Sequence, residues 1–441
     1  MRRILTAFIF LLSFTAFLTA QNDGPRPVGN ENDHATEQHD DHGTEAKSSH
    51  DDHDTVKGHD DHHAPCGHEY SKEFNPGATA FHHISDQNVY SIGPWQFPLP
   101  CILYAPEEGW EVFSSARFDP DSHGTGRKAY NGYVLLDGSV RRVVDASFPD
   151  GEVELEDHAV FYEKEKGEDG KEVEAVYVCY NDKKWKCDSK STADGGLFGG
   201  GVTSFYDFSI TKNVLTMFIV FALMAWMFIT VARAYKRRDG QAPKGIQSFI
   251  EPIFLFIQDE VAKPFLGHYW EKYLPFLMSL FFFILGLNLF GQIPFLGGSN
   301  ATGNLAVTMV LAIFAFLVTN LSGNKHYWEH IFWMPGVPAW VKTILTPVEV
   351  LGVFIKPLTL MLRLFANITA GHMVVVIFVG LIFVFGQSGA NAGASYGTAI
   401  GSTLLTIFMM SIELLVAFIQ AFVFTILTAS YIGAATEEAH H

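Results

Sequence analysis

Arg363 stands in the middle of an apolar helical run, Pro357–His372, which reads P-L-T-L-M-L-R-L-F-A-N-I-T-A-G-H. A guanidinium keeps its proton inside a protein, and placing one in hydrocarbon costs about 3 kcal/mol on insertion scales. Unless it snorkels to an interface, such a residue is a fixed positive barrier, or a fixed partner for a mobile anion. Glu349, Lys356 and Arg363 are spaced seven apart. Successive members of such a series drift only about 20° around a helix, so the three make one polar stripe, and Asn367 extends it by a turn. Thr406, Glu413 and Gln420 repeat the spacing near the C-terminus. His372, nine residues past Arg363, falls about 180° around an ideal helix and need not face what the arginine faces. Carboxylate and imidazole are tunable toward neutral pH, so Glu413 and His372 within reach of one another would pass protons. Polar groups flank the cation on both sides without forming a continuous file. An ion crosses such an arrangement only when a partner carries it past the arginine on a moving carboxylate. Glu349 is equally suited to anchoring a helix end, and Asn367 and Gln420 to bonding neighbouring helices.

The elements that must hold these residues are membrane helices. Hydrophobic residues make up 48% of the 441 positions and gather in long runs, which marks an integral membrane protein. Five spans are expected: Phe208–Tyr235, Tyr273–Leu296, Leu305–Leu321, Pro347–Phe385 and Ser395–Gly433. Each of the last two holds about 39 residues, about 58 Å of helix, against a hydrocarbon core of about 30 Å. They are expected to run steeply slanted and to offer a broad lateral face to another membrane object. Between the first two spans, Ile246, Phe249, Ile250, Ile253, Phe254, Ile257, Val261 and Phe265 recur at helical steps. That pattern predicts an amphipathic helix over Lys244–Gly267, lying along the cytoplasmic surface. Arg233, Lys236, Arg237 and Arg238 close the first span and put its end in the cytoplasm. The uncharged loops Gly297–Asn304 and Gly386–Ala394 then fall outside, Asn324–Lys342 inside, and the C-terminus in the cytoplasm.

The N-terminal half is different in kind. Between Gln21 and Ser209 there are 37 acidic and 16 basic residues, a net −21, whereas the rest of the chain carries 10 and 14, a net +4. Neither half has the basic surface that nucleic acid requires. Residues 1–20 read as a signal peptide, with Arg2 and Arg3 ahead of a short apolar stretch and small residues ending at Ala20. Residues 21–63 are rich in His and Asp and are expected to be disordered. H-D-D-H recurs there at His39–His42, His50–His53 and His59–His62. These six histidines are candidate ligands for zinc, copper or nickel, or simply part of a pH-sensitive acidic tail. Residues 64–201 form a small β-rich domain on the extracytoplasmic side. Tyr133–Leu136 and Val140–Val144 flank Asp137-Gly138, a hairpin signal. Glu172–Tyr180 alternates as a half-buried strand would, with Val173, Ala175, Tyr177 and Cys179 on one side. Gly195–Gly201 is a glycine-rich linker to the membrane unit, residues 202–441. All four cysteines lie in the acidic half. An exported domain favours disulfides with three possible connectivities, Cys179 with Cys187, flanking a turn at Asn181–Lys184, being the first candidate pair and free thiols the alternative.

From about Lys212 to Ile432 the chain resembles subunit a of F-type ATP synthases, the stator channel protein. The match is carried by L-M-L-R-L-F-A-N-I-T-A-G-H at Leu360–His372 and by Y-L-P-F-L-M-S-L-F-F-F-I-L-G-L-N-L-F-G-Q-I-P at Tyr273–Pro294. E-x6-K-P-L-T-L at Glu349–Leu360 and E-L-L-V-A-F-I-Q-A-F-V-F at Glu413–Phe424 add to it. The resemblance implies that Arg363 is the essential stator arginine facing the rotating c-ring carboxylate. It implies that Asn367, His372, Glu413 and Gln420 belong to the periplasmic half-channel, with Glu349 and Lys356 toward the cytoplasmic exit. Partners implied are the c-ring, the peripheral-stalk subunit b and, indirectly, the F1 sector, in a bacterial inner membrane and with no cofactor. Ala366 replaces a common glycine, and His372 and Glu413 are exchanged relative to the enterobacterial arrangement, which preserves an acid–imidazole pair. The long exported extension is not usual in the family. No nucleotide-binding motif is present, so ATP chemistry belongs to partner subunits. The rival reading is a secondary metal-ion transporter with a His-rich extracytoplasmic sensor, which calls for paired His and acidic ligands within the spans.

Overall fold

A computed structural model describes residues 65–67, 85–92, 95–121, 124–166, 172–192, 201–238, 240–293, 299–334, 336–385 and 392–437. The signal-like residues 1–20 and the His/Asp-rich segment with its six candidate ligands lie outside these.

The N-terminal half is built from short antiparallel strands. These are β1 (Val89–Ile92), β2 (Trp95–Pro98), β3 (Pro100–Ala105), β4 (Gly109–Ser114), β5 (Lys128–Tyr130) and β6 (Tyr133–Leu136). They continue with β7 (Ser139–Val143), β8 (Glu152–Glu154), β9 (Val160–Lys166), β10 (Glu172–Tyr180), β11 (Lys183–Asp188) and β12 (Tyr206–Asp207). Seven form one sheet in the order β8-β5-β6-β7-β11-β10-β9, three form a second, β12-β3-β4, and β1 and β2 make a hairpin. Leu136 pairs with Ser139 across the expected hairpin. Its two turn residues, Asp137 (φ 51°) and Gly138 (φ 77°), are both left-handed, as a primed turn demands. A side chain at Gly138 would also collide with that of Gln87.

Glu172–Tyr180 is a strand as expected, but its inward phase differs. Val176 and Val178 enter the main core beside Trp185 and Cys187, and Val173 is exposed. Cys179 and Tyr177 lie on the opposite face in a smaller cluster with Phe161 and Ala159. Both faces are covered, so polarity alternation did not distinguish them. The same register rules out the expected Cys179–Cys187 bridge: Cys179 opposes Lys184, and Cys187 opposes Val176. An offset of three positions puts the two sulfurs on opposite faces of the sheet. Cys179 is instead bonded to Cys66, 113 residues away, and Cys101 and Cys187 are buried free thiols.

The stretch expected as a glycine-rich linker proves to be closed at its base. Thr192 N–H donates to Gly201 O (2.8 Å) and Ser191 N–H to Phe205 O (2.8 Å). Phe205 is fully buried in the β-domain core and β12 completes the smaller sheet. The chain then passes from strand to helix within five residues. Residue Asp86 fixes that junction: its carboxylate accepts from Thr211 Oγ1 (2.7 Å) and from Asn213 N–H (3.0 Å). This satisfies an otherwise orphan donor at the start of the helix, in the manner of an N-cap supplied from 127 residues away.

The helices of eight or more residues that follow among the described residues are α1 (Lys212–Arg237), α2 (Ile246–Ile257), α3 (Trp270–Gln292), α4 (Leu305–Leu321), α5 (Lys325–Phe332), α6 (Ala339–Phe385) and α7 (Ala392–Thr436). Among the described residues, four apolar helical stretches are long enough to cross a membrane, or five if α4 and α5, bent by 105°, count as one span. In that count α2 and α3 belong to one stretch, Ile246–Gln292, linked through a π-helical turn at Gln258–Ala262 and short helical turns after it. The expected amphipathic helix is therefore shorter than Lys244–Gly267. Ile250, Ile257 and Val261 are buried, and Phe256 packs on Phe422 of α7, while Phe249 is exposed. The expected inner loop Asn324–Lys342 is largely helical, holding α5 and the first turn of α6. Helix α7 packs most extensively on α6 and next on α3, and the buried core lies around Phe281, Phe283, Ile284, Val310, Leu311 and Phe424. α6 and α7 are unbroken over 47 and 45 residues, or about 70 Å of helix each. Such lengths fit a 30 Å core only on a steep slant.

Candidate functional site

α6 carries two unlike faces. Leu360, Met361, Leu364 and Ile368 are buried against the helix bundle. Arg363 and Asn367 lie off that face and are exposed, together with Leu358 and Leu362; Glu349 is half-buried, and Lys356, though exposed, reaches over the Tyr431 ring of α7. The Arg363–Asn367 part of the heptad stripe is left open by the protein's own bundle. Among the described residues, Arg363 forms no ion pair.

The second stripe turns inward. Glu413 and Gln420 are 7% and 8% exposed, and Thr406 is half-buried on the same side. His372 reaches the Glu413 side of α6, its Nδ1 3.6 Å from Glu413 Oε1. The arginine and the histidine therefore lie on different faces, about 14 Å apart along the helix axis. Gly371 permits the close helix approach: a Cβ there would touch the Glu413 side chain at 3.4 Å.

Polar side chains that sequence pattern did not single out bond beside this pair and, separately, at the head of α1. Gln292 Nε2 donates to the Glu413 carbonyl (2.7 Å) and Asn288 Nδ2 to the Ala417 carbonyl (3.1 Å). Thr302 Oγ1 donates to Asn288 Oδ1 (2.7 Å), and Ser299 Oγ to Asn213 Oδ1 at the head of α1 (2.9 Å). The signal that would have found the first two is Asn288 and Gln292 one turn apart in an otherwise apolar helix. Two amides at that spacing face one neighbour. Toward the opposite end of α6, a recess is lined by Thr319, Asn320, Tyr327, Lys356, Pro357 and Tyr431. The Lys356 ammonium lies 5.4 Å from the Tyr431 ring centre there. The arrangement comprises a buried acid–imidazole pair with two amides bonded to the α7 backbone beside it, a polar recess elsewhere, and an exposed arginine between them along α6.

A bundle of long apolar helices with this distribution of polar groups belongs to the class of multi-pass membrane proteins that conduct ions. The chain is a member of the ATP synthase subunit a family. The family model described as "ATP synthase A chain" matches residues 214–433. ATP synthase subunit a of Chloroherpeton thalassium is 40% identical over 242 residues, 54% of this chain and 69% of that protein. ATP synthase subunit a 2 of Chlorobaculum tepidum is 40% identical over 238 residues, 52% of this chain and 64% of that one. For ATP synthase subunit a of Myxococcus xanthus the values are 39% over 269 residues, 59% and 83%. A model described as "Domain of unknown function (DUF8433)" matches residues 79–166 in the β-rich half. The protein is thus a proton-translocating component of the membrane sector, without catalytic activity by itself. None of these matches supports the metal-transporter reading.

Proposed function

We propose that Arg363 is the fixed charge separating two half-paths for protons, one reached through His372 and Glu413, the other through Lys356 and Glu349. A proton entering through the acid–imidazole pair is handed to a carboxylate on a rotating c-ring lying against the open face of α6. The ring carries it around to the second half-path, because the arginine blocks the direct way. Each charge crossing 100 mV delivers about 2.3 kcal/mol, and this becomes rotation only when short-circuiting is prevented. Asn367 shares the open face with Arg363 and contacts the ring, whereas Gln420 lies on the Glu413 side. Residues 1–20 act as an export signal, residues 21–63 as an exposed tail, and residues 64–201 as a domain outside the cytoplasm. The membrane unit of residues 202–441 spans an inner membrane with its C-terminus in the cytoplasm. Further contacts would be made with the peripheral-stalk subunit b and, through it, the F1 sector.

The observation that carries this reading is the separation of faces: Arg363 open to the outside of the bundle, Glu413 buried within it. Cysteine cross-linking tests it. Asn367→Cys should bond to a cysteine placed beside the ring carboxylate in the assembled synthase, and Ala417→Cys should not. Cross-linking at Ala417 and none at Asn367 would contradict the proposed ring-facing surface.

A further inference from the structure

The smaller sheet of the β-rich half has one face in its core and one face bare. Cys101, Leu103 and Ala105 point inward. On the other face the register sets Tyr104 against Trp110 and Ile102 against Val112, and β12 adds Tyr206 opposite Tyr104. Strand parity carries the same face on through Phe208 to Ile210. Phe208 N–H donates to Ile102 O and Ile210 N–H to Pro100 O. The Trp110 ring lies between Tyr104 and Phe208, tilted against both, at 5.0 and 5.2 Å between ring centres. Trp110 and Val112 remain 63% and 69% exposed, too much apolar surface at one place to be the scatter of an ordinary soluble face.

The position of this face says what covers it. Ile210 packs against the core of the helix bundle, so the stripe is continuous with the membrane unit. α1 begins two residues later, at Lys212. Its 26 residues make about 39 Å of helix, longer than a hydrocarbon core of about 30 Å, so its first turn reaches the headgroup zone. The Asp86 clamp and the Lys212 N–H bond to Gln87 O (2.8 Å) hold the sheet at that level. Tryptophan and tyrosine favour this depth, where one end of the ring is apolar and the other wet.

We infer that the outer face of β3, β4 and β12 rests on the lipid surface at the N-terminal end of α1, with Trp110 and Val112 seated among the headgroups. The domain is thereby a membrane-apposed collar, held by lipid as well as by its covalent link. Spin-label accessibility in the assembled synthase, reconstituted into phosphatidylcholine vesicles, tests this. Val112→Cys and, as a reference on the far edge of the larger sheet, Glu154→Cys are labelled with a nitroxide. The native thiols Cys101 and Cys187 are buried, and spectra of the parent complex are subtracted. The Val112 label should collide with lipid-soluble oxygen several-fold more, relative to a water-soluble nickel chelate, than the Glu154 label does. Equal ratios at the two sites would place the face in water and overturn the inference. Low collision with both reagents at Val112 would show a protein neighbour there and overturn it equally. Trp110→Cys supplies the same reading if the Val112 variant fails to assemble.

Discussion

Arg363 is left uncovered by its own chain, while Glu413 is covered and has His372 beside it. That contrast assigns different work to residues with nearly the same sequence spacing. Replacing Glu413 by Gln removes the titrating group and should lower proton flow through the membrane sector by about 10²-fold, the scale of losing a positioned acid–base group. The double exchange His372→Glu with Glu413→His keeps the pair while reversing its order. Proton flux should recover in the double variant relative to either single change, as measured by passive proton uptake into vesicles stripped of F1. Equal loss in all three variants would separate the two residues functionally. The arginine, the histidine and the glutamate were legible in the sequence because charges in apolar helices are few and the heptad fixes their faces. Asn213, Ser299 and Thr302 were not, since their contacts join segments 14 to 86 residues apart and common polar residue types carry no signal of their own.

Among the elements, α6 meets α7 where Gly371 lies against Glu413. A methyl group meets Glu413 at ordinary contact distance, so Gly371→Ala should assemble and conduct. Gly371→Val adds bulk with nowhere to go, at about 1–3 kcal/mol of overpacking, and should reduce proton flux by displacing the Glu413 side chain. In the β-rich half, Cys66→Ser removes the bridge to Cys179 and should cost about 2–4 kcal/mol of that domain's stability in denaturant unfolding. Burial pushes the Cys101 and Cys187 thiols up to about 12, well above the ordinary value near 8.5. Both should therefore resist alkylation at pH 8 until the domain unfolds. Because the folded values are the higher ones, stability is unaffected below about pH 8.5. It is lost as pH rises from there toward 12, where the unfolded thiols ionise first. A thermal melt series across that range reads the loss. The hairpin at Asp137-Gly138 could be foreseen from two residues, whereas the disulfide could not. Its partners are set by sheet register and by a segment 113 residues upstream, neither of which is a local property.

For the whole molecule, the two long helices were legible from the length of their apolar runs, and the family relationship covers the same region. The collar formed by the β-rich half was not, because its last strand lies beyond the glycine-rich stretch that looked like a boundary. Asp86 ties that half to the head of α1, so Asp86→Ala should cost about 0.5–2 kcal/mol through the lost cap. The effect should show as earlier melting of the assembled complex with the ring interface intact. On the proposed mechanism, a fixed charge on the open face of α6 forces protons to travel by way of the ring. ATP-driven proton pumping in vesicles carrying Arg363→Ala, assembled with the remaining subunits, tests it most directly. Pumping should fall to background while the complex still assembles, and normal pumping in that variant would contradict the account.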